Sequence, residues 1–355
     1  LKKFLIVNPF GIGDTIFTMS LAEALRRAVP DAEIGFLCNE RTVDLVRLHA
    51  AVDHTYEFNR DRFRRLWRKN PRLFLTKLSA LLGLVREPRY DALIDLSLGR
   101  QYAFFGMLCG IRRRVGYDYR SRGTFLTRKV RLAGYAGRGV AAAQIELLGL
   151  LGLPPVALPG KLSIRVPASA RADVDAFLKR RGVGPGEKLL VVAPGGGKTW
   201  GKNAHYKQWD PGRFGEAAIR LCRSHSFRAV FVGSADERAL VEETAAASEV
   251  PSSVFCGEPL ERTAALLERA SLVLANDGGL LHLANALGTP VVGIYGPVDD
   301  AVYGPAGTAA HRVVKLDVPC RPCYKDFRFP ECPHARRCLA DLPVEAVVKA
   351  AEEIA

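Results

Sequence analysis

Short apolar runs alternate along this chain with longer stretches whose apolar positions recur every three or four residues. Residues 4–7, 33–38, 54–58 and 92–96 read as buried strands bounded by Asn, Pro and Gly. Between them the helical period is clear over 15–28, where Ile16, Met19, Leu21, Ala24 and Leu25 fall on one face, and shorter helices fit 42–48, 102–109 and 141–151. Residues 60–85 carry Phe63, Leu66, Trp67, Phe74, Leu78, Leu81 and Leu82 at helical spacing, interrupted at Pro71. Residues 153–168, rich in proline, read as a linker, and the alternation then restarts. Helix 170–181, strand 188–193, helix 212–224, strand 229–232, helix 238–247, strand 272–274, a short helix ending at Gly288 and strand 291–294 follow. Each half is its own βα series. The expected class is α/β, with two doubly wound Rossmann-like domains, 1–152 and 169–355, and a cleft between them.

One stretch concentrates the chemistry. Ala275-Asn276-Asp277-Gly278-Gly279-Leu280-Leu281-His282 passes from strand to glycine turn to helix. The first N–H groups of such a helix are unpaired and suit an anion, and the two glycines admit it to the backbone. Asp277 and His282 flank the spot. An ordinary Asp cap followed by a packed His reads equally well from this stretch alone. The loop Pro194-Gly195-Gly196-Gly197-Lys198-Thr199 is a second, weaker phosphate signal. Asn8-Pro9-Phe10-Gly11-Ile12-Gly13-Asp14-Thr15 after the first strand only superficially resembles a dinucleotide fingerprint. Its third glycine is absent, no acidic residue ends strand 33–38, and a carboxylate at the helix start repels a pyrophosphate. Asp14 is either an N-terminal cap or a working carboxylate.

Composition narrows the class. The chain has 355 residues, 48% of them apolar, with mean hydropathy near zero. With neither a run of eighteen apolar residues nor a leader-like start, a cytoplasmic protein is expected. The net charge of +14 is localised: residues 60–77 and 112–131 each hold eight Lys/Arg against one Asp, and the remainder is neutral. These stretches suit an anionic partner such as phosphorylated lipid, an acidic membrane face or nucleic acid, or else form solvated basic faces. Arginines beside Trp67 and Phe74 suit an amphipathic, acceptor-side or membrane-facing element, or equally two core-packed helices with basic outer faces. Cys320, Cys323, Cys332 and Cys338 have a spacing compatible with a structural Zn²⁺ or iron bound through four thiolates; packed free thiols are the alternative, and disulfides are disfavoured in a reducing compartment.

Taken together, the ordered motifs resemble the ADP-heptose:lipopolysaccharide heptosyltransferase family of inverting transferases. They are Gly11-Ile12-Gly13-Asp14, Tyr90-Asp91-Ala92-Leu93-Ile94-Asp95-Leu96, Gly110-Ile111-Arg112-Arg113-Arg114-Val115-Gly116-Tyr117, Pro194-Gly195-Gly196, Lys207-Gln208-Trp209, and Asp277 through Ala284. The segment 319–339 with its four cysteines also looks like one that members carry. The resemblance implies a GT-B fold of two facing Rossmann-like domains, the N-terminal one holding the acceptor and the C-terminal one the nucleotide-sugar.

It further implies Asp14 as the general base, with Lys207, the amides of Gly278 and Gly279, and His282 stabilising the departing diphosphate. Gly195, Gly196, Glu237 and Asp277 would complete the donor site, Glu237 on ribose hydroxyls. No cofactor or divalent metal is then needed for catalysis. Gly13, Arg64, Arg68, Arg120 and Arg122 are the expected acceptor contacts. The implied donor is ADP-heptose and the implied acceptor a phosphorylated inner-core lipopolysaccharide precursor at the inner-membrane surface, with no nucleic-acid partner. Members often have Thr or Ser where this chain has Gly278. A relative that glycosylates a protein or another glycan, or a nucleotide-dependent epimerase or oxidoreductase, would share much of this pattern.

Overall fold

The computed structural model describes residues 1–197 and 201–355, apart from the side chain of Lys202. The chain divides into two compact units, Leu1–Ser163 and Ile164–Ala355.

The first unit runs β1 (Lys3–Val7), α1 (Ile12–Ala28), β2 (Glu33–Cys38), α2 (Val43–Arg47), β3 (His54–Glu57), α3 (Arg60–Lys69), α4 (Pro71–Arg86), β4 (Ala92–Asp95), α5 (Gln101–Leu108), β5 (Arg113–Tyr119), β6 (Arg128–Leu132) and α6 (Val140–Glu146). A 3-10 turn, Leu147–Leu151, ends the series. All six strands are parallel, in the order β3-β2-β1-β4-β5-β6. The central strands are buried on both faces, which is why β1 and β4 read as continuous apolar runs rather than alternating ones.

The basic stretch 112–131 is not simply a solvated face. It contains β5 and β6, whose strand character the arginines hide in the sequence. Arg128, Lys129 and Arg131 lie exposed on the edge strand β6, where charge blocks pairing with another sheet. Arg114 turns inward, donating Nε to Phe125 O (2.7 Å) and Nη1 to Ile111 O (2.5 Å), and Lys129 pairs with Asp118 (2.8 Å).

The second unit runs α7 (Ala168–Arg180), β7 (Leu189–Ala193), a 3-10 stretch Gly201–Lys207, α8 (Pro211–His225), β8 (Arg228–Gly233), α9 (Arg238–Ala247), β9 (Ser252–Cys256), α10 (Leu260–Arg269), β10 (Leu272–Asn276), α11 (Gly279–Leu287), β11 (Val291–Tyr295), α12 (Asp300–Tyr303), β12 (His311–Lys315), α13 (Arg337–Ala340) and α14 (Val344–Glu352). Its sheet, again all parallel, has the order β12-β11-β10-β7-β8-β9. The core under it gathers Trp209, Phe214, Leu221 and Phe231 against Leu339, Leu342 and Val347 of the C-terminal segment.

In an open parallel sheet, ligands bind beyond the carboxyl ends of the strands where the strand order reverses. That point lies between β1 and β4 in the first sheet and between β7 and β10 in the second. Both are where the sequence places its polar motifs. Among the described residues, no helix is long and apolar enough to cross a membrane.

Candidate functional site

At the first switch point, α1 begins three residues earlier than the apolar period suggests. Gly11 is the N-cap, with no side-chain cap bond, so Asp14 is not the cap; it and Gly13 lie inside the first helical turn. An acidic residue there is favoured by the helix dipole. Asp14 is partly exposed, and its turn is fixed by a buried polar network. Asn8 donates Nδ2 to Asp14 O (3.0 Å) and to Thr18 Oγ1 (2.6 Å); that hydroxyl lies 3.0 Å from Asp14 O and 2.9 Å from Gln144 Oε1. Asn8 Oδ1 in turn accepts from the Phe10 N–H (2.9 Å). Neighbouring β4 ends in Asp95, whose Oδ1 accepts from the Ser97 N–H (2.8 Å). Burial pushes the Asp95 carboxyl up to about 6.

The second switch point carries the denser constellation. The loop after β7 and the turn after β10 are drawn together by one side chain, Asn276. Its Nδ2 donates to Pro194 O (2.6 Å) and its Oδ1 accepts from the Trp209 N–H (3.0 Å). Trp209 follows Lys207 closely in sequence, so a single amide ties the glycine loop, the Lys207 strand-to-helix connection and the start of α11. A Cβ on Gly196 would stand 3.1 Å from Ala204 O and 3.2 Å from Lys207 Cβ, a tight contact that would push the loop and the Lys207 connection apart by a few tenths of an ångström.

Lys207 Nζ lies 2.6 Å from Asp277 Oδ2, and His282 Nε2 lies 3.6 Å from Asp277 Oδ1; all three side chains are largely buried. Burial pushes the Asp277 carboxyl up, but the Lys207 ammonium and His282 outweigh it and hold the group below the usual carboxylate range. Gly278 is the N-cap of α11, in extended conformation, and Gly279 is its first residue. The arrangement places one ammonium, one imidazole and a helix N-terminus at a single sheet edge, with one carboxylate already balancing the ammonium. Chemically it can receive an anionic group.

Glu237 closes the 3-10 turn Ala235–Glu237 that follows β8, and its oxygens are engaged. Oε2 accepts from Ser234 N–H (3.0 Å) and Oγ (2.8 Å) in a capping box, and Oε1 accepts from the Gly197 N–H (3.2 Å), packing against Gly195. Lys198 and Thr199 lie outside the described residues.

The expected acceptor contacts stand on the first unit: Arg64 and Arg68 exposed one turn apart on α3, and Arg120 and Arg122 exposed beyond β5, their guanidinium groups 5.0 and 5.8 Å from the Tyr119 ring. Cys320, Cys323, Cys332 and Cys338, expected as four thiolate ligands of a structural Zn²⁺ or iron, lie close enough to act on one another electrostatically. All four are free thiols, and among the described residues no three His, Cys, Asp or Glu side chains group as metal ligands. Burial above all, with the other three thiols adding to it, pushes the Cys338 thiol up to about 11.

Other contacts hold this segment. Arg321 donates to Gly296 O (2.8 Å) and Val298 O (3.0 Å) and pairs with Asp300 (2.7 Å); Arg336 donates to His205 O (2.7 Å). It therefore braces the Lys207 connection, a role that no local motif announces. Asn8, Thr18, Gln144 and Asn276 were also not singled out as site residues, because their roles come from partners distant in sequence.

Two doubly wound parallel sheets, with an anion cradle at the switch point of the second, define the GT-B class of glycosyltransferases. The family model for glycosyltransferase family 9 (heptosyltransferase) matches residues 79–331, and the chain belongs to that family. Lipopolysaccharide heptosyltransferase 3 of Escherichia coli is 22% identical over 299 residues, 82% of this chain and 83% of that protein. Lipopolysaccharide heptosyltransferase 1 of Pseudomonas aeruginosa is 27% identical over 332 residues, 91% of this chain and 86% of that protein. The fold is similar to that of E. coli heptosyltransferase WaaC. Its structures with ADP and with ADP-2-deoxy-2-fluoro heptose each cover 99% of this chain and 100% of that one at 22% identity, with TM-scores of 0.76 and 0.72.

Proposed function

We propose that this enzyme transfers heptose, with inversion, from ADP-heptose to a phosphorylated inner-core lipopolysaccharide precursor at the cytoplasmic face of the inner membrane. The observation that carries the donor assignment is the cluster of Lys207, Asp277 and His282 beside the N-terminus of α11. As the anomeric bond breaks, charge gathers on the ADP diphosphate. Lys207, the Gly278 and Gly279 amides and His282 are preorganised to receive it, so little reorganisation is required. Asp277 sets the position of Lys207 and keeps the empty cradle from excess positive charge. Gly195 and Gly196 let the donor approach the backbone, and Glu237 receives ribose hydroxyls on lone pairs beyond those it uses in its capping box.

Asp14 takes the proton from the acceptor hydroxyl as that oxygen attacks the anomeric carbon from the face opposite ADP. Gly13 leaves room for the acceptor beside it. Arg64, Arg68, Arg120 and Arg122 bind the acceptor's phosphates and carboxylates. The ammonium and the helix terminus supply the charge stabilisation that a divalent cation supplies in other transferases.

A product assay across a panel of nucleotide-sugars, with a lipid A–Kdo acceptor and with EDTA present, tests the reading. Heptosyl transfer from ADP-heptose with release of ADP is expected, at a rate unchanged by the chelator. Transfer from a different nucleotide-sugar only, or a rate abolished by EDTA and restored by Mg²⁺, would refute it.

A further inference from the structure

Helices α4 and α5 cover the same side of the first sheet. Leu81 and Val85 of α4 and Tyr102 and Phe105 of α5 share one core cluster with Leu5, Val7 and Leu93. Their last turns abut, since Arg86 donates Nη2 to Leu108 O (2.6 Å). The faces of two such helices turned away from the sheet are ordinarily charged and polar. Here they are not. On α4, Leu75 and Leu84 are each 57% exposed and Leu73 is 40% exposed. Leu73 and Leu84, about three turns apart, share a stripe whose other members are Thr76, Lys77 and Ala80. On α5, Phe104, Met107 and Leu108 form an outward i, i+3, i+4 face, each 40% exposed.

Helix α3 buries none of its residues, yet it is joined to the core by a file of aromatic rings. Tyr102, Phe58, Phe63, Phe74 and Trp67 touch in sequence at centroid separations of 4.7 to 6.0 Å, ending at a Trp67 that is 56% exposed. Seven of the ten large apolar side chains that stand exposed among the described residues thus lie on α3, α4 and α5. The same region is strongly basic: residues 60–89 hold ten Lys/Arg against Asp61 and Glu87.

The geometry points to this face as the docking surface for an anionic phospholipid bilayer, with Trp67 and Leu73 and Leu84 of α4 entering the headgroup region together with the outer face of α5, and the basic side chains on the lipid phosphates. It rests on the reading above that the acceptor is membrane-borne. An outward apolar stripe framed by Arg and Lys, with an aromatic at its margin, is the composition that partitions into such an interface. A second copy of the chain is a poorer occupant, because a two-fold contact would set the same basic patch against itself. Nucleic acid would leave the aliphatic side chains without a partner.

The test is flotation of the full chain with phosphatidylcholine vesicles, with and without phosphatidylglycerol, alongside heptosyl transfer to a delipidated acceptor. Binding to the anionic vesicles and not to the neutral ones is expected. Leu73→Gln/Leu84→Gln should lower partition by roughly tenfold or more. Arg72→Gln/Lys77→Gln should lower it several-fold at low salt and less at high salt. Both variants should keep wild-type transfer to the delipidated acceptor.

Absence of vesicle binding while that transfer persists would overturn the docking surface and leave the transferase reading intact. Binding that persists without any transfer would do the reverse. A dimer seen by sedimentation, lost in Leu73→Gln/Leu84→Gln and unaffected by vesicles, would assign the face to a second copy and overturn the proposal.

Discussion

Replacing Lys207 with methionine isolates the ion pair at the centre of the proposed donor cradle. Nζ and Oδ2 are 2.6 Å apart, and the side chains are 14% and 5% exposed. At an effective dielectric near 20 the direct attraction is about 6 kcal/mol, set against the cost of taking both ions out of water. Methionine keeps most of the packing and removes only the charge. The carboxylate of Asp277 is then left buried beside His282 alone, a situation that costs roughly 3–5 kcal/mol at neutral pH.

The pH dependence has a definite sign. In the wild type the folded Asp277 sits below its unfolded value, so its contribution is present above about pH 4 and fades as pH falls through the folded value. In Lys207→Met burial dominates and the folded value rises above the unfolded one, so stability is greatest at low pH and falls as pH rises through the new value. The deficit relative to wild type should therefore be largest near pH 7 and shrink to about 1 kcal/mol or less near pH 4. Urea unfolding followed by tryptophan fluorescence at several pH values measures it, and Lys207→Met/Asp277→Asn should recover at least about 2 kcal/mol of the loss. A Lys207→Met midpoint equal to wild type at neutral pH, or a deficit that grows as pH falls, would refute the account of a buried, mutually dependent pair.

Other outcomes follow from the same contacts. Asp14→Ala should lower turnover roughly 10²–10⁴-fold while calorimetric ADP affinity stays within a few-fold, because the proposed base and the proposed nucleotide cradle belong to different units. Asn276→Ala removes bonds to both Pro194 O and the Trp209 N–H and should cost about 2–4 kcal/mol in unfolding free energy while raising the donor KM. Gly278→Thr should fold and be as stable as wild type or slightly more so. A Cβ there meets nothing nearer than 3.7 Å, the backbone is extended rather than left-handed, and a hydroxyl at an N-cap is favourable; thermal unfolding checks it. Asp95→Asn should be more stable than wild type by up to about 3 kcal/mol at neutral pH, the gain vanishing near pH 4, because a carboxyl raised to about 6 loses its stabilising protonated form as pH rises through that value.

The central strands and the switch-point motifs were legible in the sequence because they are short, doubly buried and punctuated by glycine. The start of α1 was not, since Gly11 and Gly13 argue against a helix that nevertheless takes Gly11 as its cap. Strands β5 and β6 were concealed because Arg113, Arg114, Arg128 and Arg131 break the apolar pattern, and whether an arginine faces solvent or turns inward to carbonyls, as Arg114 does, is settled by partners elsewhere in the chain. Strands β9 and β12 and helices α10 and α14 carry weak local signals and were not anticipated. At the site, Asp277 and His282 were visible as flanking groups, but the pairing of Asp277 with Lys207, seventy residues earlier, has no local signature. The bonds by which Arg321 and Arg336 hold the cysteine-bearing segment to backbone carbonyls elsewhere in the unit likewise leave no mark in the cysteine spacing.

Asn276 spends both ends of its amide on two different loops. Aspartate would forfeit the donor, glutamine would overreach by a methylene, and neither change could be repaired from one side alone. Sequence drift at 194–197, at 207–209 and at 276–279 is thereby yoked, so combinatorial libraries aimed at new donor preference should randomise the three segments jointly rather than one after another.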